Sequence, residues 1–427
     1  MYLRINENVE IVKNYSGGLI IDKSERITNN INHSGVEIFS MCNGNSTIED
    51  VVHIIKSTYN INDEIILGSI RDFIDEYLNK NILILEKEKN DFKVNIKGDV
   101  NSIIPIHLSM EVTSNCQLKC IHCFNSSGTP KEDELTSHQI AKIAKEFSEL
   151  GTQSAFVTGG EPFLKKDICF LIEALAENFI SVTIASNGFS LTDEIVSTLS
   201  KYNNITVQIS VDGNEKTHDE IRGVVNAYIR TMSNIATLCN NNIPVVIAFT
   251  LNDNNRYELD DVILHTKKLG CKGVNIGLTA DAGRAKDNKL KCNFSKDFIE
   301  ILSAYNKKYT TDDFYVGLDI DENKIRNITD SIEHKNKCGA GYGIMHIFPN
   351  GNVSMCPSIT KIHLGSLKKQ GIGEILNFKN VERTMNIPSP TREICGDCEN
   401  FNSCGHCIGN MLAKSSEECV VINGMQL

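Results

Sequence analysis

A regular alternation of strand and helix patterns in the middle of the chain limits the fold more than any other feature. The alternation runs from Ile104 to about Ala304, and helical segments such as 137–150 and 226–240 separate the strands. The strand candidates are 106–112, 154–158, 181–186, 205–211, 245–251 and 273–278. Six such units predict an α/β fold, in which a parallel sheet forms a partly closed barrel with ligands at the carboxyl ends of its strands.

Three cysteines, Cys116, Cys120 and Cys123, directly follow the first of these strands. Three thiolates at this spacing can hold three irons of a cubane iron–sulfur cluster and leave the fourth iron without a protein ligand. An open iron is a place where a substrate or cofactor can coordinate. The alternatives are a zinc site that lacks one ligand, or buried thiols.

A glycine pair ends the second strand, in the run Thr158-Gly159-Gly160-Glu161-Pro162. Paired glycines let backbone approach a ligand closely, and the carboxylate of Glu161 with exposed carbonyls can receive an ammonium group. The run alone is typical of a tight turn. Its place one βα unit after the cysteine triplet resembles the radical SAM superfamily, in which S-adenosylmethionine chelates the open iron.

The resemblance implies a set of residues that contact S-adenosylmethionine at the strand ends. In this interpretation Phe124 lies beside the adenine, and Asn187 and Ser210 form hydrogen bonds with the ribose and methionine parts. Arg222 forms a bidentate interaction with the methionine carboxylate. A surface salt bridge is the alternative for Arg222, and His218 is interpreted as structural. The cofactor-binding residues implied are Phe124, Gly159, Gly160, Glu161, Ser186, Asn187, Ser210, Asp212 and Arg222.

Length and composition exclude several classes of partner. A chain of 427 residues predicts two or three domains, and its net charge of −11 argues against nucleic acid or an anionic membrane surface as partner. The longest apolar run, 243–251, is interrupted by proline and too short to span a bilayer. The first residues carry no signal-peptide pattern, so a cytoplasmic location is expected. Fifteen cysteines there favour metal ligation over disulfides.

Residues 1–90 are predicted to form a separate domain with short strands, three helices near 35–42, 47–59 and 63–78, and a final strand at 82–85. This pattern is winged-helix-like, but 9 Lys/Arg against 14 Asp/Glu give a net charge of −5, which disfavours DNA. The segment instead resembles the PqqD-like domain that captures the leader of a precursor peptide as an added strand. A stabilising cap is the alternative, and residues 87–100 are interpreted as a linker.

A second constellation of cysteines fills the C-terminal third, within 82 residues. It resembles the SPASM domain of peptide-modifying radical SAM enzymes, predicted here over residues 335–427 after a barrel over 104–310; a zinc ribbon is the alternative. Carried over by position, the inner auxiliary cluster takes Cys338, Cys356 and Cys407. The outer cluster takes Cys395, Cys398, Cys404 and Cys419.

Two departures from the SPASM pattern matter. The family usually separates its third and fourth clustered cysteines by three residues, whereas two separate Cys404 from Cys407. A further cysteine that members with a fully ligated inner cluster carry near Cys338 is missing. The inner cluster is therefore one protein ligand short. Its open iron can bind a substrate thiolate, or His334, water or an altered cluster completes it.

Together these parts resemble radical SAM/SPASM maturases of ribosomally made peptides, most closely the thioether-forming (sactipeptide) type. The resemblance implies S-adenosylmethionine, three 4Fe–4S clusters, a precursor peptide and an electron donor such as flavodoxin or ferredoxin. It also implies a 5′-deoxyadenosyl radical that removes hydrogen from an acceptor residue, to which a cysteine sulfur then bonds. Carbon–carbon cross-linking, epimerisation, a formylglycine maturase and a peptide- or DNA-binding regulator without turnover remain the alternatives.

Overall fold

A computed structural model describes residues 1–22, 24–25, 27–280, 282–290, 296–318, 338–398, 407–412, 419 and 422. The sequence-based predictions for His334 and Cys404 therefore concern residues outside the described ones. The chain divides into two compact units. The first comprises Met1–Ile104 with Leu376–Phe378, and the second comprises Pro105–Ile375 with Lys379–Leu427.

The first unit holds three helices and two small sheets among its described residues. Its elements are β1 (Tyr2–Ile5), β2 (Val9–Asn14), β3 (Gly17–Asp22), β4 (Ile27–Ile31), α1 (His33–Met41), β5 (Asn43–Ser46), α2 (Ile48–Tyr59), α3 (Glu64–Asn79), β6 (Leu83–Glu86) and β7 (Ile96–Gly98). The sheet orders are β5-β1-β6 and β4-β3-β2-β7. Phe39, Phe73 and Tyr77 meet edge to face or tilted in its core, at centroid distances of 4.8–5.9 Å.

Two local features of this unit differ from the sequence prediction. Residues 87–100 include β7, which pairs in parallel with β2, so the stretch interpreted as a linker completes a sheet. The N-cap of α2 is Thr47, whose side chain and that of Asp50 form the capping box, although the run Ser46-Thr47-Ile48-Glu49 also has a capping-box pattern that would make Ser46 the cap. Ser46 cannot cap the helix because it pairs with Leu3 as the last residue of β5.

The second unit contains a long mixed sheet with helices between its parallel strands. Its elements are β8 (His107–Glu111), α4 (Ser137–Glu149), β9 (Ser154–Thr158), α5 (Ile168–Asn178), β10 (Ser181–Ser186), α6 (Asp193–Leu199), β11 (Ile205–Ser210), α7 (Glu215–Arg222), α8 (Ala227–Asn240), β12 (Val245–Leu251), α9 (Leu259–Lys268), β13 (Gly273–Leu278), α10 (Gly283–Asp287), α11 (Lys296–Tyr309), β14 (Tyr315–Leu318), β15 (Ile344–Ile347), β16 (Asn352–Ser354), β17 (His363–Ser366), α12 (Ile372–Ile375), α13 (Phe378–Met385), α14 (Arg392–Cys395) and α15 (Ile408–Leu412).

The sheet of this unit confirms the predicted α/β barrel and extends it. Its strand order is β14-β13-β12-β11-β10-β9-β8-β15-β16-β17. Strands β8 to β13 are the six predicted ones, and β14 adds a seventh parallel strand beside β13. On the other side, β15 pairs in parallel with β8 and turns back through β16 and β17.

The parallel order brings the predicted motifs to one edge of the sheet. Glu111, Thr158, Ser186 and Ser210 are the last residues of four adjacent strands, β8 to β11. The strand interiors hold them in register, because side chains such as Val207 are fully buried on a sheet covered by helices.

A separate observation concerns membranes: in the described parts of the chain, no helix is both long and apolar enough to cross a bilayer.

Candidate active site

The loop that carries Cys116, Cys120 and Cys123 is held by side chains from distant parts of the chain. Arg284 donates from Nε to the carbonyl oxygen of Cys120 and from Nη1 to that of Ser127, both at 2.8 Å. Asn288 donates to the carbonyl oxygen of Ile121, also at 2.8 Å. These anchors lie more than 150 residues from the loop, so no local motif in the sequence marks them.

The start of α10 also packs directly on the cysteine loop. Gly283 adopts a φ of +51°, and a Cβ there would lie 2.2 Å from the carbonyl oxygen of Phe124. The next backbone N–H, that of Arg284, donates to the carbonyl oxygen of Cys123 at 3.0 Å. Only glycine permits this approach, so Gly283 is a further residue of the site that the sequence did not indicate.

The glycine pair after β9 approaches backbone rather than open space. A Cβ on Gly159 would lie 2.3 Å from the carbonyl oxygen of Thr113, and one on Gly160 would lie 2.1 Å from that of Asn115. The backbone N–H groups of Gly160 and Glu161 donate to these two oxygens at 2.7 Å. The glycines thus join the second strand end to the residues that lead into Cys116.

Glu161 is fully buried and its carboxylate accepts hydrogen bonds from three protein donors. The donors are Ser186 Oγ at 2.9 Å, the Asn187 N–H at 2.8 Å and the Phe163 N–H at 3.1 Å. Burial raises the pKa of Glu161 to about 7, against the lowering effect of these donors. In this structure Glu161 therefore orients the turn after β10, and its role toward a ligand ammonium group stays a prediction.

Two donors point at the cysteine sulfurs. Asn187 Nδ2 lies 3.7 Å from Cys116 Sγ, and Arg222 Nη1 lies 3.6 Å from Cys120 Sγ. Asn187 is held in turn by Gln117, which donates to its Oδ1 at 3.2 Å. Hydrogen bonds of this kind stabilise thiolate sulfur and tune an iron–sulfur cluster.

Arg222 forms a buried ion pair rather than the surface salt bridge that was its alternative. Its Nη2 lies 2.6 Å from Asp212 Oδ2, and His122 Nε2 lies 3.4 Å from the same oxygen. Burial alone would raise the pKa of Asp212, but Arg222 and His122 lower it. The buried His218 accepts from the Asp212 N–H through Nδ1, and burial lowers its pKa to about 4. His218 is therefore a neutral structural residue, as the sequence predicted.

The three thiols of the loop lie within electrostatic range of one another. Burial raises the pKa of Cys116 to about 11 and also raises that of Cys120, while Arg222 lowers the latter. Neighbouring thiols oppose ionisation further, because like charges repel. Ionising all three thiols together requires positive charge, which iron supplies.

An unpaired polar atom beside these thiols indicates that the residues fit a cluster and an anionic ligand. Nε of Arg222 is buried and has no hydrogen-bond partner among the described residues, whereas Nη2 is held in the ion pair with Asp212 Oδ2. Buried polar atoms are rarely left unpaired, and when they are a missing ligand is one cause. With three clustered thiols and two donors aimed at sulfur, the site has the chemistry that a cysteine-ligated cluster needs.

A cavity of about 540 Å³ extends from this loop toward the C-terminal cysteines. Phe124 and residues 125–129 line one end of it. Ser358 and Gly409, each two residues from a predicted cluster cysteine, line the other. Phe124 therefore lies where a ligand of the loop and a molecule in the cavity can both contact it. Ser210 does not line this cavity and is the last residue of β11.

The structure brings the predicted inner cysteines together. The thiols of Cys338, Cys356 and Cys407 lie within electrostatic range of one another, and burial raises the pKa of Cys356 to about 12. Cys338 is exposed as a residue, yet protein surrounds its sulfur and raises its pKa as well. These thiols resemble the first set in needing a cation to ionise.

The predicted outer set is only partly described. Cys395 and Cys398 share one turn, in which the Cys398 N–H donates to the Cys395 carbonyl oxygen at 3.2 Å. Cys404 lies outside the described residues. Cys419 is buried in an apolar cluster with Ala340 and other residues that flank the inner thiols. The assignment of Cys419 to the outer cluster therefore stays a prediction.

Cysteine ligands at the carboxyl edge of a parallel βα barrel, followed by a cysteine-rich domain, define the class of radical SAM iron–sulfur enzymes. Sequence profiles of three families match this chain. The radical SAM superfamily matches residues 110–265, the SPASM iron–sulfur cluster-binding domain residues 338–408, and the coenzyme PQQ synthesis protein D (PqqD) family residues 24–83.

Several known proteins are similar to this chain over most of its length. Sporulation killing factor maturation protein SkfB of Bacillus subtilis is 29% identical over 75% of this chain and 73% of its own length. The antilisterial bacteriocin subtilosin biosynthesis protein AlbA of the same species is 25% identical over 95% of this chain and 92% of its own. The crystal structure of Streptococcus suis SuiB bound to precursor peptide SuiA has a TM-score of 0.69 at 17% identity and covers 98% of both chains, which supports the fold.

The chain belongs to the radical SAM/SPASM enzymes that mature ribosomally made peptides, and it contains their PqqD-type peptide-recognition domain. Its cofactors are S-adenosylmethionine, a 4Fe–4S cluster and auxiliary iron–sulfur clusters. These assignments confirm the family, the fold, the enzyme class and the cofactors predicted from the sequence.

Proposed function

We propose that this enzyme forms intramolecular thioether bonds in a ribosomally made precursor peptide, between a cysteine sulfur and a carbon of an acceptor residue. The observation that carries the proposal is the inner cysteine set. Cys338, Cys356 and Cys407 approach one another beside the cavity that begins at Phe124, and three thiols leave one iron of a cubane open. A thiolate is the natural ligand for that iron.

The residues of the first loop would hold the radical-generating cofactors. Cys116, Cys120 and Cys123 would ligate the 4Fe–4S cluster, and the unpaired Nε of Arg222 would donate to the carboxylate of S-adenosylmethionine. When bound, these groups supply a radical that removes one hydrogen atom from the peptide. The chain's own contribution is to orient the peptide carbon and sulfur and to exclude water from the cavity.

The PqqD-type unit would bind the leader of the precursor. Strand β4 is an edge of its four-stranded sheet among the described residues, so its outer backbone groups are open to an added strand. Strand addition at β4 gives affinity for the leader through main-chain hydrogen bonds while the core of the peptide reaches the cavity. The names of the relatives SkfB and AlbA, which refer to peptide maturation and bacteriocin biosynthesis, support this assignment.

The electron that reduces the first cluster would come from a small donor such as flavodoxin or ferredoxin. We place the enzyme in the cytoplasm, because ten cysteines committed to clusters need a reducing compartment. Both assignments are tested by measuring turnover with purified flavodoxin or ferredoxin and their reductase in place of a chemical reductant.

The test of the function is anaerobic co-expression with a cysteine-containing precursor encoded beside this gene, followed by tandem mass spectrometry. A thioether appears as a loss of two hydrogens per ring, with the cysteine no longer alkylatable. Cys356→Ala should abolish the ring and lower the iron content while 5′-deoxyadenosine still forms. Cys169→Ala is the matched control, because Cys169 lies on α5 outside all the motifs.

Other products would contradict the proposal in distinguishable ways. Loss of two hydrogens with every peptide cysteine still alkylatable would indicate a carbon–carbon cross-link. A product whose mass is unchanged in ordinary water, but which takes up one deuterium from solvent when the reaction is run in D2O, would indicate epimerisation. Unaltered ring formation by Cys356→Ala would show that the inner cysteine set has no part in the reaction.

A further inference from the structure

Glu111 occupies a position that neither set of cysteines explains. It is the last residue of β8, at the carboxyl edge of the barrel, and it is the one carboxylate among the described residues that line the 540 Å³ cavity. That cavity runs from Phe124 to Ser358 and Gly409. A peptide that reacts between the two cysteine sets has to occupy this space, so it passes Glu111.

One carboxylate oxygen of Glu111 is hydrogen-bonded within the protein, and the other can accept a proton or hydrogen bond from a molecule in the cavity. Its Oε1 accepts from Asn125 Nδ2 at 2.8 Å and lies 3.2 Å from His346 Nε2. Its Oε2 has no hydrogen-bond partner among the described residues. The side chain is only 8% exposed, so Oε2 is reached through the cavity rather than from bulk solvent.

A buried histidine fixes the direction of this carboxylate. His346 on β15 is completely buried, and its Nδ1 lies 2.9 Å from Ser109 Oγ. Because an ionised carboxylate only accepts hydrogen bonds, Nε2 carries the imidazole proton and Nδ1 accepts from the Ser109 hydroxyl. Ser109 is itself buried, so it orients the histidine and cannot act as a nucleophile. An acid–base group oriented by a second residue is the arrangement found in catalytic sites.

Thioether formation requires a proton acceptor, since a peptide thiol has to lose its proton before sulfur can bond carbon. We propose that Glu111 is this acceptor, an inference that rests on the proposed thioether reaction. The S–H bond breaks and its proton passes to Oε2, while sulfur keeps the electron pair. That pair forms the bond to the peptide carbon radical, which arises when this carbon gives one hydrogen atom to the 5′-deoxyadenosyl radical and so yields 5′-deoxyadenosine. The one surplus electron passes to an iron–sulfur cluster.

The other titratable residues that line the cavity fit this role less well. Lys131 is a hydrogen-bond donor in its ordinary charged form and cannot accept a proton there. His363 lies at the start of β17 and its ring packs edge-on against Phe348, but no described residue forms a hydrogen bond with its ring nitrogens, so no hydrogen bond fixes which nitrogen accepts a proton. Glu111 is the lining residue that combines proton-accepting chemistry with a fixed orientation.

The test compares Glu111→Gln with Glu149→Gln, an exposed position at the end of α4 that does not line the cavity, using reconstituted enzyme and a precursor deuterated at the acceptor residue. Glu111→Gln keeps the size of the side chain but removes its basicity. It should lower the rate of ring formation about 100-fold or more, the usual contribution of a positioned base. Deuterium transfer into 5′-deoxyadenosine, iron content and precursor affinity should stay at the wild-type level. Glu149→Gln should retain ring formation within about threefold of wild type.

A selenocysteine precursor separates loss of a base from loss of structure. A selenol is already ionised at neutral pH, so it needs no base, and Glu111→Gln should close the selenoether ring at a rate within about tenfold of wild type. Equal failure with the cysteine and selenocysteine precursors would assign Glu111 a structural role and overturn the inference.

Two further results would overturn it. Wild-type ring formation from the cysteine precursor by Glu111→Gln would refute the base while leaving the proposed function intact. A wild-type enzyme that transfers deuterium but forms no thioether would refute the proposed function and the inference with it.

Discussion

The close approach between the glycine pair and the cysteine loop yields a sharp prediction. Gly160→Ala places a Cβ 2.1 Å from the carbonyl oxygen of Asn115. The obstacle is backbone, which cannot rotate aside as the end of a flexible side chain can. The segments at 113–115 and 159–161 therefore have to separate by about 1 Å or more to reach an ordinary contact distance.

The cost follows from what that separation breaks. Two backbone hydrogen bonds of 2.7 Å join these segments, from the N–H groups of Gly160 and Glu161. Each contributes about 0.5–1.5 kcal/mol, and overpacking costs about 1–3 kcal/mol more. The sum is about 2–6 kcal/mol. Because Asn115 directly precedes Cys116, the strain falls on the first cluster ligand.

The assay measures iron per protein after anaerobic reconstitution, 5′-deoxyadenosine formation, and denaturant unfolding. Gly160→Ala should lose iron, lower 5′-deoxyadenosine formation at least tenfold, and lower the free energy of unfolding by the amount above. Gly128→Ala is the matched control in the same loop, because no heavy atom lies within 4 Å of its added Cβ. That change should alter stability by less than about 1 kcal/mol.

Wild-type iron content and cleavage in Gly160→Ala would refute this reasoning. So would equal damage from the two alanine substitutions, because the loop would then be sensitive to any added methyl group rather than to the contact at Asn115.

Three further predictions concern single side chains. Arg284→Met removes two charge-assisted hydrogen bonds, each of which contributes about 1.5–3 kcal/mol. The amide hydrogens of the cysteine loop should therefore exchange faster, and the protein should lose iron. Lys286 is exposed on the same helix, and Lys286→Met should have neither effect. The pKa of Glu161 is about 7 in the folded protein and 4.5 in its ordinary state. Between these two pH values the folded state keeps a proton that the unfolded chain loses. The free energy of unfolding should therefore fall by about 3 kcal/mol as the pH rises from 4.5 to 7. Comparing Glu161→Gln with wild type across this range should show that the fall depends on Glu161, and parallel curves would contradict it. Asp212→Ala leaves the charge of Arg222 buried and uncompensated, so denaturant unfolding should show a loss of about 3–5 kcal/mol; a loss below 1 kcal/mol would contradict the buried pair.

Much of the barrel was predictable because its signals are local. Strands β9, β10, β12 and β13 have the bounds that the sequence predicted. In β9 and β10, buried residues alternate with less buried ones, which is the two-residue period of a strand and differs from the helical period on either side. Short polar strands were missed. Strand β5, Asn43-Gly-Asn-Ser46, has poor strand propensity, and it forms because β1 offers it a backbone partner.

The cysteine spacing by itself determined the chemistry of the site, because ligand type and separation along a loop limit which metal group can bind. The surroundings of those ligands were decided only by the tertiary structure. Arg284 reaches the loop from 164 residues away, and the glycines of the second motif pack on the backbone that leads into Cys116. The pairing of Glu111 with His346 joins residues 235 apart through the adjacency of β8 and β15. Such contacts depend on which surfaces pack together, and a periodic pattern records only that a surface is buried, not which partner covers it.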